Sequence, residues 1–79
     1  MTKGEYRVGI NFNPSGDDLV GQIKRQAADL IDLIDTINGD DPLSSKAGEV
    51  ARLKALAQTH IEDAAMWAVK AATKPAPTA

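Results

Sequence analysis

The sequence predicts an all-α protein: an antiparallel two-helix hairpin with a short N-terminal arm, assembled as a compact homo-oligomer. Three observations predict it. Val20, Ile23, Ala27, Leu30, Ile34 and Ile37 recur at spacings of three and four, and so do Val50, Leu53, Ala57, His60, Ala64, Trp67 and Ala71, which places each set on one helical face. Asn38-Gly39 and the polar stretch Asp40-Asp41-Pro42-Leu43-Ser44-Ser45 separate the two patterns as a turn would. Finally, a chain of 79 residues with a single seam buries too little to offset the entropy of ordering itself, so protomers are expected to associate.

The organisation in order is an arm over residues 1–13, a hairpin domain over 14–73 and a disordered tail over 74–79. In the arm, Tyr6, Val8, Ile10 and Phe12 alternate with Arg7, Gly9 and Asn11, which predicts an extended segment or strand lying on a neighbour. Asn13-Pro14-Ser15-Gly16-Asp17-Asp18 reads as a helix start, with Ser15 as the cap and the aspartates at the positive end of the helix dipole. The first long helix is expected from about Gly16 to Ile37, and its Asp29, Asp32 and Asp35 read as a solvated face. The second is expected from about Lys46 to Thr73, where frequent alanine raises helix propensity and lets a partner backbone come close. Lys74-Pro75-Ala76-Pro77 cannot continue it.

Composition excludes several classes of function. A net charge of −2 and a pI near 5.1 argue against a diffuse grip on DNA or RNA, although a compact anion held by a few cations fits. Cysteine is absent, which removes disulfides, thiolate zinc sites and cysteine nucleophiles. Met1 to Ile10 lacks the apolar core of a secretory signal or membrane span, so the cytosol is the expected compartment.

Catalysis finds little support: His60 is the single histidine, and no serine adjoins it to form a nucleophile and base pair. His60 reads as a seam residue bonded to a neighbour such as Thr59 of another protomer. No Glu-x-x-His pair or glycine-rich phosphate loop is present, so neither a metal nor a cofactor is expected. Binding finds more. Phe12 lies just before the first helix, with Lys24 and Arg25 two to three turns on; an aromatic wall and a nearby cation suit a nucleotide base and its phosphate. Composition alone favours a plainer reading, with Phe12 as a hydrophobic staple against Leu19. It likewise favours Trp67 as the largest knob of an oligomer core, and Lys70 as a cation suited to a helix C-terminus.

Three stretches carry more than periodicity: Phe12-Asn13-Pro14-Ser15, Ile23 to Asp32 (IKRQAADLID) and Ala57 to Lys70 (AQTHIEDAAMWAVK). From about Arg7 to Thr73 the chain resembles the small phage helical-hairpin proteins of the anti-CBASS cyclic-nucleotide sponge family, whose hairpin domain is shared with a larger phage anti-Thoeris sponge. The resemblance implies a non-enzymatic hexamer in the host bacterial cytoplasm. It would sequester cyclic dinucleotides such as cyclic GMP-AMP between protomers, with a separate pocket for cyclic trinucleotides. It assigns the gripping lysine to Lys24 and the aromatic to Phe12, with Tyr6 as the alternative further upstream; Asn13 and Arg25 adjoin them, and Lys70 is the candidate for the trinucleotide. Members place a tyrosine before the helix, and phenylalanine can stack without donating a hydroxyl hydrogen bond. The competing expectations are a helical adaptor that binds a host protein through the hairpin face and, disfavoured by the missing base and metal residues, a small hydrolase.

Overall fold

The computed structural model describes residues 1–38 and 46–78, and its elements are α1 (Lys3–Val8), α2 (Asp18–Asp35) and α3 (Ala47–Ala72). The two long helices fall within about two residues of their expected ends at all four termini. The expected turn at Gly39 and Asp40 to Ser45 lies outside the described residues, as does Ala79.

The arm is the main correction, because residues 3–8 are helical and not extended. Thr2 and Glu5 form a capping box: the Thr2 hydroxyl accepts from the Glu5 amide at 3.1 Å, and the Glu5 carboxylate accepts from the Thr2 amide at 2.8 Å. Gly9 ends the helix in the left-handed region at φ 64°, where the Ile10 amide reaches back to the Glu5 carbonyl at 3.0 Å. Such local hydrogen bonding outweighs the weak alternation of Tyr6, Val8 and Ile10.

The cap of α2 is Asp17, whose carboxylate accepts from the Leu19 amide at 2.9 Å, and not Ser15. The Ser15 hydroxyl instead donates to Asn13 Oδ1 at 2.6 Å and accepts from the Asp17 amide, tightening the turn before the helix.

The helices α2 and α3 run antiparallel. Lys54 of α3 donates to the carbonyls of Asp35 and Ile37, Gln58 to that of Ile31, and Val69 and Thr73 face Val20 across a shared hollow, so partners step in opposite directions along the two helices. Lys54 thereby places a cation on the negative end of the α2 dipole.

The face each long helix buries differs from the expected one. On α2 the buried residues are Val20, Lys24, Ala28 and Ile31; on α3 they are Gln58 and Ala65. Apart from Val20, these positions lie one residue, or roughly 100°, round from the apolar stripes. The stripe residues Leu30, Leu53, His60, Ala64, Trp67 and Ala71 are exposed. Hydrogen bonding joins the burial of Val20, Ala28, Ile31 and Ala65 in fixing this register. Gln58, only 2% exposed, donates to the Ile31 carbonyl and to Asp35, both at 3.1 Å, while its oxygen accepts from Lys3 at 3.0 Å, so one side chain ties all three helices together. Gln58→Ala is expected to lower stability by about 1–3 kcal/mol, the usual cost of stranding buried polar partners; a urea midpoint equal to the parent's would show that the knot carries no weight.

α1 lies across α2 and α3 through close backbone packing and ion pairs. Gly4 is buried against α2: a β-carbon there would fall on the Ala28 carbonyl oxygen and lie 2.8 Å from its carbon. The Gly4 amide donates to Asp32 at 2.7 Å, Lys3 pairs with Asp35 at 2.9 Å, Arg25 with Glu5 at 2.8 Å and Arg7 with Glu62 at 2.7 Å. Asp32 and Asp35 thus receive α1, and Asp29 pairs with Arg25, so these three carboxylates are bonded acceptors and not a merely solvated face.

The Glu5 carboxyl is held down to about 2, against an ordinary 4.5, first by the hydrogen bond from Arg25 and next by the Thr2 amide. Because the folded value is depressed, its contribution to stability is fully present above pH 4.5 and is lost as pH falls towards 2. The urea midpoint is therefore expected to drop between pH 5 and pH 2.5, and to drop less in Glu5→Gln; identical slopes would contradict the linkage.

Candidate functional site

The turn between α1 and α2 brings Phe12 over α2, where it meets Lys24. Lys24 is only 8% exposed, and its ammonium donates to the main-chain carbonyls of Gly9, at 3.0 Å, and Phe12. An ammonium has three donors, so two of them fix its position and one is left for a ligand. The same nitrogen sits 5.5 Å from the centroid of the Phe12 ring. Phe12 is 70% exposed, and with Asp17 as the cap of α2 the staple positions fall on Gly16 and Gly21, so Phe12 and Leu19 do not form a hydrophobic staple.

Phe12 and Lys24 line a hollow of about 210 Å³ with Asn13, Pro14, Ser15, Val20, Val69 and Thr73. Asn13 holds the rim through its amide, which donates to the Asp17 carbonyl at 3.0 Å. A second hollow of about 200 Å³ shares Lys24 and Val69 and extends to Arg7, Val8, Glu62, Ala65 and Met66. A fixed cation therefore stands between two shallow, mostly apolar recesses, one walled by an exposed aromatic ring. This arrangement can stack a flat ring and hold an anionic group beside it.

The other candidates lie elsewhere. Arg25 neighbours Lys24 in sequence but is engaged by Glu5 and Asp29, both at 2.8 Å. Tyr6 is exposed on α1, two positions and thus about 200° round from the buried Gly4, so it points away from α2. Lys70 stands over the Trp67 ring at 5.2 Å on the exposed side of α3. His60 is exposed, and the Thr59 hydroxyl is met within the chain by Arg7 at 3.4 Å. Sequence reasoning missed Val69, Thr73 and Arg7. Val69 and Thr73 share a face at i and i+4, but which face of α3 meets Phe12 follows from the register alone. Among the described residues no group of three or more His, Asp or Glu is placed to hold a metal, and no helix is long and apolar enough to cross a membrane.

Searches of curated proteins and of solved structures return no match. A family model does match: that of the Acb2/Tad1 hairpin domain, over residues 4–73, a span that takes in most of α1, both long helices and the Phe12–Lys24 hollow. The chain therefore belongs to the Acb2/Tad1 hairpin-domain family, the sponge hairpins that its sequence resembles.

Proposed function

We propose that this protein is a phage sponge that binds cyclic di- and trinucleotide second messengers of bacterial anti-phage signalling and withholds them from host effectors without cleaving them. The observation that carries the reading is the pairing of an exposed aromatic ring with a carbonyl-anchored ammonium at one hollow, in a chain of the sponge family. Phe12 stacks a base, Lys24 grips a phosphate and Asn13 shapes the rim.

A hollow of about 210 Å³ is smaller than the roughly 300–1,000 Å³ of sites that enclose a ligand. One protomer thus supplies one wall, and a second copy supplies the other. The exposed Leu30, Leu33, Leu53, Met66 and Trp67 give these copies an apolar surface to share. In the resulting hexamer, Lys70 beside Trp67 is the candidate for a cyclic trinucleotide where several protomers meet. Sequestration depends on affinity and copy number, and a nanomolar site, about −12 kcal/mol, suffices.

The test is calorimetric titration with cyclic GMP-AMP, followed by denaturation and recovery of the ligand. Tight binding with intact nucleotide recovered is expected. Turnover would mark an enzyme. No binding across cyclic di- and trinucleotides, with a stoichiometric host protein captured instead, would favour the adaptor reading, for which the exposed apolar surface is equally suited.

A further inference from the structure

We infer that α1 is the positioning element of the ligand site, and that Gly4, about 8 residues from Phe12 in sequence, sets the geometry of Lys24 and Phe12 by letting α1 dock on α2. The inference rests on the sponge reading above and deepens it.

The chain of contacts is short. The Lys24 ammonium is held by two carbonyls, those of Gly9 and Phe12, which lie at and just beyond the C-terminal end of α1. Phe12 is itself tied to that end, its amide donating to the Gly9 carbonyl at 2.9 Å. Both carbonyls stand where they do because α1 is seated, and α1 is seated by a backbone approach that tolerates no side chain at position 4. The Gly4 amide bond to Asp32 and the Glu5–Arg25 pair secure the same seat from two sides. A lysine stem has four rotatable carbons, and an unheld ammonium would sample many positions at a cost in affinity when a ligand fixes it. A seated α1 removes that cost before the ligand arrives, and it holds the aromatic wall at the matching distance. Gly4 and Glu5 touch no ligand in this arrangement.

The experiment compares Gly4→Ala and Glu5→Gln with the parent, using cyclic GMP-AMP as the probe. Gly48→Ala, on α3 with open space at its β-carbon, is the matched control. Three readouts are taken: dissociation constant, far-ultraviolet helicity, and the nuclear magnetic resonance signal of the Lys24 ammonium, which two carbonyl hydrogen bonds should protect from exchange. Gly4→Ala is expected to lose the protected ammonium signal and to weaken binding at least about tenfold with α2 and α3 still helical, Glu5→Gln about two- to fivefold, and Gly48→Ala not at all. Unchanged affinity in both variants, with the Lys24 signal lost, would overturn the positioning role while leaving the sponge reading standing. If Gly4→Ala loses its helicity as a whole, Glu5→Gln decides, since it leaves the Gly4 packing in place: parental affinity there overturns the inference. A parent protein that does not bind the probe overturns the sponge reading itself, and this inference with it.

Discussion

Lys24→Met is expected to weaken cyclic dinucleotide binding by about 10- to 100-fold while leaving the helices formed, since a hydrogen bond to a charged group contributes about 1.5–3 kcal/mol. Methionine is chosen to keep an unbranched apolar stem beside Val20 and Val69, so that the change removes the ammonium and little else. Part of the loss is indirect. The Gly9 and Phe12 carbonyls lose their shared donor, and the turn that carries the ring loosens. Phe12→Ala separates the two contributions: it removes the stacking surface but leaves the carbonyls that hold Lys24, and about 1–3 kcal/mol is the expected loss for one stacked base. Calorimetry on the two single variants and the double variant measures their coupling. Parental affinity in both single variants would move the site away from this hollow.

The second large effect concerns assembly. Leu53→Asp together with Trp67→Asp is expected to dissociate the proposed oligomer into monomers with helix content retained, as read by native mass measurement and sedimentation. Leu53 is 51% and Trp67 61% exposed, so neither aspartate enters a buried site within the protomer. Each would instead place a charge on the apolar surface proposed to meet a second copy, where desolvation without a partner is costly. Ligand binding should fall with it if the hollow is closed by a neighbouring protomer, and added cyclic GMP-AMP should stabilise the parent assembly by mass action. A double variant that keeps the parent's mass would place the interface elsewhere, and a parent that is monomeric at all concentrations would remove the two-walled site.

Much of this molecule can be read from the sequence, and the unread part has a common cause. The two long helices are legible because periodicity and, in α3, alanine content act within a few residues of one another, while the acidic Asp17-Asp18 pair marks the start of α2. Lys24 and Phe12 are legible as neighbours because only a turn and less than two helical turns separate them. α1 was legible too, in the capping box Thr2-x-x-Glu5 and the terminating Gly9, but alternation of apolar residues pointed the other way over the same stretch. Ser15 and Asp17 compete for one cap within three residues, and local hydrogen bonding settles that contest only once the turn has closed.

By itself, then, the sequence determined the helical class, the ends of α2 and α3, the family, and the pairing of an aromatic with a cation before and within the first long helix. Tertiary structure alone decided which faces meet. Hydrophobic periodicity identifies an apolar face but not its partner, and here polar residues share the intrachain seam with Val20, Ala28, Ile31 and Ala65: Gln58 bridges three helices, Lys24 and Lys54 each bind carbonyls at the end of another helix, and Asp32 receives the backbone of α1. Buried donors and acceptors must find partners, whereas an apolar side chain needs only to leave water and can do so against another molecule. That asymmetry fixes Lys24 inside the fold, beside Phe12, and leaves Leu53 and Trp67 outside it.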